Sequence, residues 1–234
     1  MEEFRSPIIL ALDTDNVEIA SQWITATSQS VKIYKVGLEF FLKFGAAGLE
    51  RLREVADFEL FLDLKLHDIP NTVAGAVASV RNINPKFLTV HASGGEAMIK
   101  AAVDQSSDIT ITAVTVLTSL DTAALLELGI ESDPLDLSLT LGRSAVRAGA
   151  RAIVCSPLEV QAIRSVVGDG IEIITPGVRP IGSDRGDQLR AMTPSEAISA
   201  GANYLVIGRP ITSYFEKSAQ AMSERAHEIL ESLL

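Results

Sequence analysis

Short apolar runs recur along the chain, mostly on consecutive positions, and each is followed by a stretch whose apolar residues return at helical spacing. Eight runs stand out: Ile8 to Asp13, Lys32 to Val36, Leu60 to Lys65, Phe87 to His91, Ile109 to Leu117, Ala152 to Cys155, Ile171 to Thr175 and Tyr204 to Ile207. Consecutive apolar positions are what a parallel strand covered on both faces requires, whereas a half-exposed strand would alternate. The intervening stretches supply the cover. Ile19, Ala20, Trp23, Ile24 and Thr27 share one helical face, as do Ala219, Met222, Ala226, Ile229, Leu230 and Leu233. Thr193, Pro194 and Glu196 form a capping box with proline at the first helical position, and Gly149 and Gly201 stand where helices should stop. Eight strand–helix units in 234 residues, without a linker rich in Pro, Gly or Ser, predict a single-domain (β/α)8 TIM barrel over residues 1–234 rather than an open doubly wound sheet. No G-x-G-x-x-G fingerprint follows the first run, so a dinucleotide-binding open sheet loses its main support.

Composition narrows the classes of partner. Thirty acidic against twenty basic residues give a formal charge of −10, which disfavours non-specific attraction to nucleic acid or to anionic membranes. An aromatic share of 5% argues against a surface built for stacking on exposed bases. An anionic ligand therefore needs a locally positive pocket. The lone cysteine, Cys155, can form neither an intrachain disulfide nor a Cys-rich zinc site, and an apolar strand around it makes it a small core residue rather than a nucleophile. The amino terminus places acidic residues before a short apolar run, unlike a secretory signal, and no stretch reaches membrane-spanning length. A soluble, cytoplasmic protein is expected.

In a barrel, function sits on the loops after the carboxyl ends of the strands. The first run ends in Asp13, the second carries Lys35 before Gly37, and the third ends in Asp63-Leu-Lys65-Leu-His67-Asp68. On a strand, Asp63 and Lys65 lie two apart and project to the same side, while Asp68 falls just beyond. An isolated D-x-K is usually an ion pair that fixes a loop. Here three charged groups interrupt an otherwise apolar run near a barrel mouth, where burying charge is costly unless function demands it.

The string DLKLHDIPNT closely resembles the D-x-K-x-x-D-I-x-x-T signature of the orotidine 5′-monophosphate decarboxylase family. The resemblance runs along the chain in order: ALD at the first strand, YKVG at the second, VHASGG at the fourth, TVLTS at the fifth, PGVRP at the seventh and VIGRP at the eighth. It implies conversion of orotidine 5′-monophosphate to uridine 5′-monophosphate (UMP) and carbon dioxide, the last step of de novo UMP synthesis, without metal or cofactor. It also implies a homodimer with two composite sites. On that resemblance, Lys65, Asp63, Asp68 and Lys35 are catalytic. Asp13 and Lys35 serve the ribose hydroxyls and the charged network, and Asp63 and Lys65 flank the reacting carbon. Asp68, Ile69 and Thr72 come from the partner subunit. Thr118 meets the pyrimidine amide edge, Arg179, Arg209 and the backbone of Gly208 hold phosphate, and Gln188 bridges phosphate and base. Chain length suggests the stand-alone bacterial type.

The chemistry such a site needs is electrostatic, because carbon dioxide leaves a C6 carbanion with no imine or ketone as electron sink. An ammonium at Lys65 stabilises that charge and then supplies a proton. The long polar segment 177–188, punctuated by glycine, reads as a lid over phosphate, within which the role of Arg185 stays open. His67 alternates away from the Asp63 and Lys65 face; His91, His227 and Trp23 read as structural, with no ligand-spaced partners for zinc. Two rivals remain. One is a related barrel enzyme acting on a sugar phosphate through a metal-stabilised enediolate; the other is a nucleotide-binding protein without turnover.

Overall fold

The computed structural model describes residues 6–180 and 192–233. All eight apolar runs become strands: β1 (Ile8–Ala11), β2 (Ile33–Gly37), β3 (Glu59–Leu66), β4 (Phe87–His91), β5 (Thr110–Val114), β6 (Ala152–Val154), β7 (Glu172–Pro176) and β8 (Tyr204–Ile207). Each pairs in parallel with the next, and β8 returns to β1, closing the barrel. Helices alternate with them: α1 (Val17–Thr27), α2 (Leu38–Arg53), α3 (Pro70–Ser79), α4 (Gly95–Gln105), α5 (Thr122–Glu127), α6 (Pro134–Arg147), α7 (Val160–Val167), α8 (Pro194–Ser199), α9 (Arg209–Thr212) and α10 (Ala219–Glu231). The gaps after β5 and β8 each hold two of these. Among the described residues, no helix is long and apolar enough to cross a membrane.

The strands are apolar on both sides because each side meets a different core. Ile8, Leu10, Leu62 and Leu88 face the helices and belong to the larger cluster, with Ala20 and Ile24 of α1 and Met222, Ala226 and Ile229 of α10. Ile9, Ile33, Phe61, Phe87, Ile174 and Tyr204 fill the barrel interior. The helical stripes fall as their spacing predicts, except that Ala219 is exposed. It is the first residue of α10, where Ser218 caps the helix by accepting the Ala221 N–H at 3.0 Å, before the helix has turned its apolar face onto the barrel.

Helix punctuation is as expected. The Thr193 hydroxyl accepts the Glu196 N–H, and the Glu196 carboxylate accepts the Thr193 N–H at 2.8 Å, which fixes the start of α8. Gly149 and Gly201 end their helices with φ of +100° and +108°, a conformation a side chain would strain. β1, β5 and β6 are shorter than their apolar runs, β5 by the most. β5 stops at Val114, where Thr115 directs both its N–H and its hydroxyl to the Val154 carbonyl, and the next residues leave the sheet for the barrel mouth.

Candidate active site

The interior changes character along its length. Near the amino ends of β3 and β4, Phe61 and Phe87 meet edge-on with centroids 5.7 Å apart, Tyr204 packs 5.6 Å from Phe87, and Lys86 pairs with Glu59 at 2.7 Å beside them. Two residues further on in the same inward stripes the side chains turn polar: Lys35 follows Ile33, Asp63 follows Phe61, and Thr89 follows Phe87. Above them opens a pocket of about 300 Å³ at the carboxyl ends of the strands.

Its floor carries a row of alternating charge. The Lys35 ammonium donates to Asp13 Oδ1 at 3.0 Å and lies 3.6 Å from Asp63 Oδ2, while Lys65 Nζ donates to both Asp63 oxygens, at 2.8 and 2.9 Å. Burial alone would push the Asp63 carboxyl up; the charges of Lys35 and Lys65, with hydrogen bonds from Lys65 and Thr89, outweigh it and hold that carboxyl below its ordinary value. Burial likewise opposes the Lys35 charge, and Asp13 and Asp63 outweigh it in turn, so its ammonium is held above the usual lysine range.

Lys65 reaches this position through an irregularity rather than through simple alternation. The register between β3 and β4 jumps, with Leu62 opposite Leu88 but Leu66 opposite Val90, and Lys65 takes a left-handed backbone with φ of +48°. Its N–H, displaced from the ladder, donates to the Thr89 hydroxyl at 2.8 Å, and that hydroxyl donates to Asp63 Oδ1 at 3.0 Å. Thr89 is a member of this network that reading the motif alone passes over. Its signal is the period of two that places Phe87, Thr89 and His91 on one face of β4.

Thr118, Arg179, Gly208 and Arg209 line the same pocket, Gly208 beside Ala11 and Asp13 where β8 meets β1. The expected site residues Asp13, Lys35, Asp63, Lys65, Thr118, Arg179, Gly208 and Arg209 are therefore brought together by one cavity. The Arg179 N–H donates to the Met192 carbonyl at 2.8 Å, and the neighbouring Val178 is fully buried, which anchors the backbone beneath that guanidinium. Apolar side chains of Val116, Leu117, Val154 and Val206 complete the lining.

Asp68, Ile69 and Thr72 do not reach this pocket within the chain. The Asp68 carboxylate accepts the Ile69 N–H at 2.6 Å, and Ile69 is 66% exposed. Gln188, Arg185 and most of the segment expected to form a lid lie outside the described residues. His67 and His91 lie beside each other, ring centroids 5.3 Å apart, and neither lines the pocket. Burial, with His67 and Lys65 nearby, holds the His91 imidazole below its ordinary value. Cys155 lines the pocket wall but is buried, and burial pushes its thiol up, away from the nucleophilic thiolate. Among the described residues, no three His, Cys, Asp or Glu side chains converge as a metal site.

Comparison with known proteins meets this geometry from another direction. Residues 6–223 match the family model described as orotidine 5′-phosphate decarboxylase / HUMPS family. An orotidine 5′-phosphate decarboxylase of Thermobifida fusca is 52% identical over 216 residues, covering 92% of this chain and 93% of its own. One from Frankia casuarinae is 45% identical over 225 residues, covering 89% and 82%. The crystal structure of orotidine 5′-phosphate decarboxylase from Lactobacillus acidophilus superposes with a TM-score of 0.81 at 33% identity, covering 96% of this chain and 99% of that one. With the family model spanning nearly the whole barrel and relatives aligned along its length, the chain belongs to the orotidine 5′-phosphate decarboxylase / HUMPS family.

Proposed function

We propose that the chain decarboxylates orotidine 5′-monophosphate to uridine 5′-monophosphate, with Lys65 as the proton donor. The observation that carries this reading is Asp63 held between two ammonium groups, Lys35 at 3.6 Å and Lys65 at 2.8 Å, on the floor of a pocket that Arg179 and Arg209 also line. Guanidinium groups recognise phosphate in a fork geometry, and loops after the seventh and eighth strands are where such barrels commonly hold it. Phosphate fixed there lays the ribose over Asp13 and Lys35, sets the amide edge of the base against Thr118 and brings C6 toward Lys65. As carbon dioxide leaves, its bonding electron pair stays on C6, the Lys65 ammonium stabilises that charge without reorganising, and its proton then completes the new C–H bond. Asp63 faces the substrate carboxylate, and their repulsion is relieved as that charge departs.

Part of the site comes, on this reading, from a second copy of the chain. Asp68, Ile69 and Thr72 are exposed beside the site rather than in it, as residues offered to a partner would be. Asp68 of the partner subunit would then meet the far side of the Lys65 ammonium and extend the alternating row by one carboxylate.

The test is direct: purified protein is mixed with orotidine monophosphate, and loss of the orotate chromophore is followed with and without a chelator. Turnover unaffected by chelation is expected. No turnover overturns the proposal, and turnover lost on chelation would overturn its metal-free mechanism. The metal-stabilised enediolate rival fits the floor poorly, because the ammonium groups flanking Asp63 repel a divalent cation.

A further inference from the structure

We infer that Thr89 is the positioning residue of this site, the single hydroxyl that sets both the backbone and the ammonium of Lys65. The inference rests on the decarboxylase reading above. Four bonds close a ring: the Lys65 N–H donates to Thr89 Oγ1 at 2.8 Å, Thr89 donates to Asp63 Oδ1 at 3.0 Å, and Lys65 Nζ donates back to the two Asp63 oxygens. The hydroxyl is used in both directions, as acceptor and as donor, and it has no exposed surface through which water could replace it.

The need for such a residue comes from β3 itself. A non-glycine residue at positive φ is sterically disfavoured, and the register jump between Leu62 and Leu66 takes the Lys65 N–H out of the ladder with β4. A buried N–H without a partner is costly, so the bulge persists only if something accepts that proton. Thr89 supplies the acceptor from the neighbouring strand. Its β-branched side chain has little χ1 freedom, which suits a group that must hold two others at fixed angles. Removing the hydroxyl leaves the N–H unsatisfied and takes from Asp63 Oδ1 one of its two hydrogen bonds, so the ammonium loses its fixed aim at the reacting carbon. Thr89 itself does not line the substrate pocket, so substrate binding should be affected far less than the chemical step.

Steady-state turnover of orotidine monophosphate by wild type, Thr89→Val and Thr89→Ser tests this. Valine keeps the shape and removes the hydroxyl; kcat should fall by about 10- to 100-fold, with KM changing by less than about threefold. Serine restores the hydroxyl and should recover most of the loss. Should the valine chain fail to fold, Thr89→Cys, with a poor donor and acceptor of similar size, takes its place against serine. A valine or cysteine chain that folds and matches wild type in kcat overturns the inference, as does a loss that appears only in KM or a serine chain no better than valine. An inactive wild type would instead sink the decarboxylase reading.

Discussion

At Asp63 a carboxylate is buried yet ionised, and that condition has a consequence in pH. Because the folded protein holds this carboxyl below its ordinary value, the native state binds fewer protons than the unfolded chain across that interval. The stability Asp63 contributes is complete above the unfolded value and is lost as pH falls through the folded one. Urea unfolding between neutral and acid pH should therefore show a steeper acid decline for wild type than for Asp63→Asn; identical slopes would mean that the pairing with Lys35 and Lys65 carries no linkage. Arg209 makes a different prediction. It lines the same pocket at the end of β8, where such barrels hold phosphate, so Arg209→Ala should raise KM for orotidine monophosphate by about 10- to 100-fold, the weight of a charge-assisted hydrogen bond, and lower kcat less. A change confined to kcat would place that guanidinium somewhere other than on the phosphate.

Among the elements, β3 is the one whose sequence and geometry disagree, and the disagreement can be measured. Lys65 at φ +48° carries backbone strain of about 1–2 kcal/mol that glycine would not feel. Lys65→Ala and Lys65→Gly lose the same ammonium, and both should abolish turnover. At an ordinary strand position alanine would be the more stable of the two; here glycine should be, by about 1 kcal/mol in denaturant unfolding. Alanine more stable than glycine would mean that the left-handed conformation relaxes once the side chain is gone. The same strand marks the limit of what the sequence discloses. Its place in the barrel was legible, as were all eight strands, because a strand covered on both faces must be apolar at consecutive positions. That Asp63 and Lys65 share a side was legible from a spacing of two, yet the backbone arrives there through a bulge. The bulge depends on Thr89 across the β3–β4 seam; a period of two puts Thr89 on the inward face of β4, but the local pattern does not say which residue of β3 it meets.

For the whole molecule, the question is how many chains make one site. The formal charge of the chain is −10, and the row Asp13, Lys35, Asp63, Lys65 ends in an ammonium. A carboxylate from a symmetry-related copy would terminate it, and Asp68 is exposed on the segment that follows β3. In a two-fold dimer each site would then take Lys65 from one chain and Asp68 from the other. Lys65→Ala and Asp68→Ala chains, each inactive alone, should regain activity when mixed and allowed to exchange subunits. One site of every mixed dimer carries both mutations and the other carries neither. Random pairing of equal amounts makes half the dimers mixed, so about a quarter of wild-type specific activity should return. If Asp68 instead served its own chain's Lys65, every site in the mixture would hold one mutation and activity would remain at the parental level. Subunit exchange is confirmed independently by tagging one chain and co-purifying the other, so a quarter or nothing is an answer about the site and not about mixing.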